Sequence, residues 1–368
     1  MEDIVFVTAD SVRYDYMDAM EYLSSTFDIR EGMTVAHYTR PSLAGIHSST
    51  FRSVLSGQVA NPTLAQELSA VGYDCLGLSP NPNTDATFGF ADGFDRYDSF
   101  LEPGNRGTSL RQYFARFDTL RKIYYKFYPP QAKSEDRPRD REVIDQAIEW
   151  FNDAESPRFL WIHLMETHRP YGAGDDAVSK KLDQKAFFKS HKLTDAERVE
   201  IEDKYRDSLA RADQNIQHLL KNIDSNPKFV FTADHGEGFG DEGYYYHQPQ
   251  RRRVDDCLIK VPVIFDGFSI DSETLSHLDI APTITASAGG EISEAWLGNN
   301  LLETDTEYTI TVAPWNNQAT VLWQDFEHRL VSQDADVVFD AAGDQTVSEE
   351  TDVPEDIKEQ MRDLGYIK

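Results

Sequence analysis

The segment KFVFTADHGEG, residues 228–238, decides how the rest of the chain is read. Its first half is a short apolar run, too brief for a helix and rich in residues that favour strands. It ends on adjacent Asp234 and His235, two side chains able to hold a cation, and then on glycines. Two other apolar runs end in the same way: IVFVTAD, residues 4–10, at Asp10, and LWIHLMETH, residues 160–168, at His168. One aspartate closing a strand is ordinarily a turn or cap residue. Three polar endings point instead to a common rim, because open parallel sheets bind ligands beyond the carboxyl ends of their strands. Oxygen donors with one imidazole suit manganese or zinc, and calcium somewhat less well.

Helical patterns separate these runs. PTLAQELSAVGYDCLGLSP, residues 62–80, reads as a helix stopped at Gly72 and followed by a buried strand. REVIDQAIEWFNDA, residues 141–154, and DKYRDSLARADQNIQHLLKNI, residues 203–223, carry apolar residues at helical spacing. The alternation predicts an α/β fold with a mostly parallel central sheet flanked by helices. Residues 100–140 and 172–200 are polar and irregular, and are expected to be insertions over the sheet. Beyond SHLDIAPTITASAGG, the short runs EYTITVAP, ATVLWQD, HRLVSQ and VVFDAAG predict a small antiparallel sheet, and PEDIKEQMRDLGYIK a terminal helix. The expected division is a large α/β domain over residues 1–290 and a small C-terminal antiparallel-sheet subdomain over 291–368.

Acidic residues outnumber basic ones 64 to 36 in the 368 residues, for a net charge of -28 spread from end to end. Such self-repulsion opposes a compact state in dilute buffer. At molar salt the Debye length falls to roughly 3 Å and the repulsion fades. The composition therefore fits a halophilic protein of a salt-loaded cytoplasm, or else an ordinary acidic one. It argues against nucleic acid as a partner, since phosphate binding needs a basic face. The two cysteines, Cys75 and Cys257, build neither a disulfide framework nor a zinc motif. The chain opens on a strand-like run without a leader pattern, and no apolar stretch approaches the roughly 18 residues of a membrane span. A soluble cytoplasmic protein is expected.

AHYTRPSLAG, residues 36–45, places Thr39 two positions before Pro41 at the start of a helical pattern. From spacing alone Thr39 reads as a helix cap. Arg13 and Arg40 flank the presumed rim, and their guanidinium groups fit either an anionic ester or the many carboxylates of this chain. QRRRVDD, the one dense basic run, fits an anionic substrate or its own Asp255 and Asp256.

FVTADSVRYD, TRPS, HRPY, TADHGEGFGDEG, KVPVIF, LDIAPTI and MRDLGYIK occur in the order seen in the sulfatase family of the alkaline phosphatase superfamily. The resemblance covers nearly the whole chain. It implies an alkaline-phosphatase-like catalytic domain in which Asp10, Asp234 and His235 bind a metal, and Thr39 is a nucleophile that also touches it. His168 and His247 resemble substrate-contacting residues of that family. As imidazoles they suit proton donation to a leaving oxygen, although lone loop histidines also fit a plain surface role.

The chain departs from the family pattern in two places. Strict sulfatases read Cys-x-Pro-Ser-Arg or a serine equivalent, whose first residue matures to formylglycine; this chain reads Thr39-Arg40-Pro41-Ser42-Leu43. A hydrated aldehyde expels sulfate by eliminating through its second hydroxyl, which a threonine ester cannot do. A phosphate mono- or diester is therefore favoured over a sulfate ester. Asp10 is followed by Ser11 and not by a second aspartate, and Asp213 is followed four places on by Gln217 and not by a histidine. One divalent cation (Mn, Zn or Ca) is expected, with Asp213 a helix-surface or capping group. The resulting expectation is a metal-dependent hydrolase of a small anionic ester of a metabolite, glycan or lipid headgroup. The alternatives are a phospho-group transferase on the same site and a non-catalytic ligand-binding member of the fold.

Overall fold

The structure, a computed structural model, describes residues 1–100, 138–316 and 318–333. Among the described residues ten strands form two sheets. The larger contains β1 (Ile4–Ala9), β2 (Arg30–Met33), β3 (Asp74–Leu78), β4 (Arg96–Asp98), β5 (Arg158–Leu164), β6 (Lys228–Ala233) and β7 (Lys260–Asp266). Its order is β2-β7-β6-β1-β5-β3-β4. The pairings of β6, β1, β5, β3 and β4 are parallel, whereas β7 runs antiparallel to both β6 and β2. The mostly parallel sheet read from the alternation is therefore present, with β1 at its centre.

Strands that lie between two helical layers bury both faces, so they read as continuous apolar runs without alternation. All six residues of β1 are buried. Val5, Val7 and Ala9 pack toward α5 (Asp140–Asp153) and α7 (Asp195–Asn222), through Val143, Ala147, Leu209 and Ala212. Ile4 and Phe6 pack on the other side, in the cluster that holds Leu43, Leu64, Leu68 and Ile284. Those residues come from α2 (Thr39–Ser48), α4 (Leu64–Ala70) and α9 (Ile280–Ser287). The remaining α-helices among the described residues are α1 (Glu21–Thr26), α3 (Phe51–Ser56), α6 (Lys180–Lys189) and α8 (Asp256–Ile259).

The small sheet comprises β8 (Thr309–Trp315), β9 (Gln318–Gln324) and β10 (Arg329–Ser332), all antiparallel. It is stitched to the chain just before α2: the Val312 amide donates to the Val35 carbonyl at 2.8 Å, and the Thr311 hydroxyl to the Thr34 carbonyl at 2.6 Å. The expected strand VVFDAAG, the terminal helix and most of the expected 100–140 insertion lie outside the described residues.

One expectation is corrected. Residues 172–200 contain α6 and the start of α7 instead of irregular chain throughout. Ser179 accepts from the Leu182 amide and caps α6, which buries Leu182 and Ala186. Thr194 and Glu197 form a reciprocal capping box that starts α7 well before the apolar periodicity becomes visible. Asp213 caps another helix: its carboxylate accepts the Tyr22 and Leu23 amides at 2.7 and 3.0 Å, at the head of α1. Among the described residues no helix is long and apolar enough to cross a membrane.

Candidate functional site

Sheet register sets the site. Ala9 pairs with Ala233 on one side and with Leu164 on the other, so β1, β6 and β5 end at one level. The next residues continue the ladder, the Asp10 amide donating to Leu164 O and the Asp234 amide to Ala9 O, both at 3.0 Å. Neighbouring strands lie about 4.8 Å apart, which sets the two carboxylates side by side. Asp10, Asp234 and His235 are all fully buried, and one ligand atom from each lies within 4.8 Å of the others.

Thr39 joins them from a different element. It is the first residue of α2, whose N-cap is Tyr38, and the cap makes no side-chain hydrogen bond. The Thr39 hydroxyl is therefore spent on the site. Its Oγ1 donates to Asp10 Oδ2 at 3.3 Å and lies 3.3 Å from His235 Nε2. The ten-residue helix α2 points its partly positive end at this oxygen. Ser42 pins the turn, donating from Oγ to the Asp234 carbonyl at 2.6 Å.

The donor set fits a cation. A carbonyl only accepts, so His235 Nδ1, 2.7 Å from Gly236 O, carries the proton and leaves the Nε2 lone pair facing the cluster. Asp234 Oδ1 accepts the Ser11 and His235 amides at 2.9 and 2.8 Å, while its buried Oδ2 has no hydrogen-bond partner among the described residues. Burial and the Asp10 charge push the Asp234 carboxyl well above the usual range. Burial acts on Asp10 in the same sense, but it is outweighed by the charge of His168, a His163 hydrogen bond and the charge of His235, and Asp10 falls well below that range. Two such carboxylates ionise together only when a positive charge lies between them. Gly236 is required by space, since a Cβ there would stand 2.0 Å from the Cys257 carbonyl. Ser11 is held at φ 57 immediately after Asp10, a conformation that costs a non-glycine residue on the order of 1 kcal/mol or more.

The expected flanking residues divide. His168 is 4% exposed and lies four residues beyond the end of β5, past a turn in which its amide donates to Met165 O, with its ring 6.4 Å from that of His247. His247 is 5% exposed, its ring 4.5 Å from that of His235. Burial and the nearby His235 charge hold His247 well below the ordinary imidazole value. Arg13 is given to carboxylates: it bonds Asp15 at 2.8 and 2.7 Å, Asp241 at 2.9 Å and the Glu237 carbonyl at 3.2 Å. Arg40 lies over the Phe88 ring at 4.4 Å and forms no ion pair among the described residues. Burial lowers its pKa from the ordinary arginine value. In the basic run, Arg253 pairs with Asp255 and Arg251 stacks on Tyr244 at 3.8 Å.

Sequence reading missed three contributors. His163, inside β5, reaches Thr8 Oγ1 at 3.0 Å through Nδ1 and lies 3.8 Å from Asp10 Oδ2 through Nε2. Asn81, just after β3, donates to Asp10 Oδ2 at 3.4 Å. Glu237 is fully buried and accepts from the Tyr171 hydroxyl at 2.7 Å. Burial lifts the Glu237 carboxyl to about 7, against the opposing effects of the His235 charge and the Tyr171 hydrogen bond. The signal for Asn81 was its place at the end of a parallel strand; nothing in the sequence marked His163.

A family model described as Sulfatase matches residues 2–290. No curated protein matches the chain at the sequence level. Among solved structures, the phosphonate monoester hydrolase from Silicibacter pomeroyi superposes with a TM-score of 0.61 at 16% identity, covering 90% of this chain and 87% of that one. The zinc complex of the C-terminal periplasmic domain of EptC from Escherichia coli gives 0.56 at 15% identity, covering 83% and 88%. A 2-O GAG sulfatase gives 0.58 at 12% identity, covering 98% and 90%. At these identities the likeness is one of fold, and the fold is alkaline-phosphatase-like.

Proposed function

The chain belongs to the sulfatase family, and from that premise we propose that it hydrolyses a phosphate mono- or diester of a small anionic compound through Thr39, with one divalent cation held by Asp10, Asp234 and His235. The observation that carries this reading is the hydroxyl of Thr39, set 3.3 Å from both Asp10 and His235 at the start of a helix it does not cap. A divalent cation in such a donor set lowers the pKa of an adjoining hydroxyl and offsets charge on a phosphoryl oxygen. Thr39 releases its hydroxyl proton to solvent and bonds through Oγ1 to phosphorus as the leaving oxygen departs with a proton, and water then splits the threonine ester. The rings of His247 and His168 pass that proton on to the leaving oxygen. Arg40, with no carboxylate partner among the described residues of so acidic a chain, is the cation available to a substrate anion.

Phosphorus is favoured over sulfur because the chain has threonine where formylglycine would form, so release of bound sulfate by elimination is closed to it. The test is a panel of chromogenic phosphomonoesters, phosphodiesters and sulfates at high salt with Mn2+, Zn2+, Ca2+ or Mg2+. Turnover of a phosphate ester that stops on chelation and returns with the ion supports the reading. Turnover confined to the sulfates, or indifferent to chelation, contradicts it. Added glycerol separates hydrolysis from transfer, since a transferase would yield glycerol phosphate.

A further inference from the structure

Glu237 is a fully buried carboxylate without an ion-pair partner of the usual kind. The nearby guanidinium of Arg169 is taken by Asp183, at 3.0 and 2.5 Å. Neutral donors surround Glu237 instead. The Tyr171 hydroxyl donates to Oε2 at 2.7 Å, the Gly238 amide to Oε1 at 3.2 Å, and His247 Nδ1 lies 3.4 Å from the same Oε1. Tyr171 is fully buried among the Tyr205, Tyr246 and Phe239 rings, so the direction of the carboxylate is fixed by packing.

The backbone shows a second, independent sign. Both neighbours of His247 lie in the left-handed region although neither is glycine: Tyr246 at φ 65 and Gln248 at φ 35. Each such residue is strained and persists only where its surroundings demand it. Here the Gln248 side chain braces the turn by donating to Tyr245 O at 2.7 Å. The ring so held, that of His247, has Nδ1 3.4 Å from Glu237 and its centroid 4.5 Å from that of His235.

We propose that Glu237 is the positioning residue for His247: its clamped carboxylate accepts the Nδ1 proton and so leaves Nε2 as the ring nitrogen that exchanges a proton with the reacting ester. This rests on the phosphoesterase reading above. The proton that Thr39 gives up as it attacks reaches Nε2 through solvent and passes on to the leaving oxygen as the phosphorus–oxygen bond breaks. Nδ1–H stays on Glu237 throughout, so the ring ends as neutral as it began.

The test compares a phosphodiester having a poor alkyl leaving group with its 4-nitrophenyl counterpart, which departs without a proton. For Glu237→Ala, kcat on the alkyl ester falls roughly 10–100-fold, the range for partners that orient a functional histidine. On the nitrophenyl ester kcat changes less than about 3-fold, and KM moves little on either. Glu237→Gln, whose amide oxygen still accepts from Nδ1, recovers most of the alkyl-ester rate. The Glu237→Ala, His247→Ala double variant is no slower than His247→Ala alone, because the two act as a unit. Equal losses on both esters, or additive losses in the double variant, overturn the proposal. Nitrogen NMR of His247 in the full-length protein gives a readout independent of turnover: Nδ1–H in wild type, mixed tautomers in Glu237→Ala. An Nε2–H tautomer in wild type overturns the proposal. If wild type turns over neither ester, the reaction reading fails, and the NMR result still decides the orientation claim.

Discussion

Asp10 and Asp234 stand one residue beyond the same rung of the central sheet, where Ala9 of β1 faces Ala233 of β6. Neither has freedom to withdraw, since each backbone amide continues the ladder at 3.0 Å. The fold thus forces two buried carboxylates together and leaves Asp234 Oδ2 without a hydrogen-bond partner among the described residues. A cation relieves that arrangement, and its absence leaves a standing cost.

Asp234→Asn separates the two effects. The amide keeps the Oδ1 acceptor for the Ser11 and His235 amides but removes one negative charge. Affinity for the divalent ion, measured by calorimetry, falls by more than the ~10–100-fold lost when a mere supporting partner is removed. The melting temperature of the metal-free variant rises above that of metal-free wild type. A metal-free variant less stable than wild type would mean that the carboxylate pair is not under repulsive strain.

His47 yields a pH prediction away from the site. Its ring is 2% exposed, 4.2 Å from Trp161, with Nε2 unpartnered among the described residues. Burial, with a smaller effect of His163, holds its pKa at about 3, against 6.5 for a free imidazole. The unfolded chain therefore binds the extra proton as pH falls below 6.5, and stability present above that pH is lost on the way down. The contribution between pH 7 and 5 is roughly 2 kcal/mol. Denaturant titrations of His47→Phe should show a shallower loss over that interval than wild type. Parallel curves would assign acid sensitivity elsewhere.

The charge of -28 gives a third prediction. Melting temperature rises steeply from low to molar KCl, because a Debye length near 3 Å screens most carboxylate pairs. An unchanged melting temperature contradicts the halophilic reading.

Much of this was legible before the fold was seen. Asp10, Asp234 and His235 announced themselves as polar endings on apolar runs, and Thr39 only by motif order, since its place before Pro41 reads as a helix cap. What stayed hidden depends on adjacency across the sheet. β1 lies between β5 and β6, strands more than 150 and 220 residues away in sequence, so no local pattern tells that His163 will lie beside Asp10. β5 is buried on both faces, and a doubly buried strand has no alternation to reveal which side a histidine takes. Glu237 was in view, inside the decisive motif, but its role depends on Tyr171, 66 residues away. α6 escaped because its capping residue, Ser179, precedes a lysine-rich turn whose apolar stripe is only two buried residues wide.

The account turns on whether Thr39 takes the phosphoryl group. Rapid quench of the metal-loaded enzyme with a phosphodiester, followed by peptide mass spectrometry, measures this directly. The account predicts a transient phosphoester on the peptide that contains Thr39, absent in Thr39→Ala, a variant that still folds and binds the ion but no longer turns over. Full turnover by Thr39→Ala, or a phosphoryl group trapped on another residue while Thr39 stays unmodified, contradicts it.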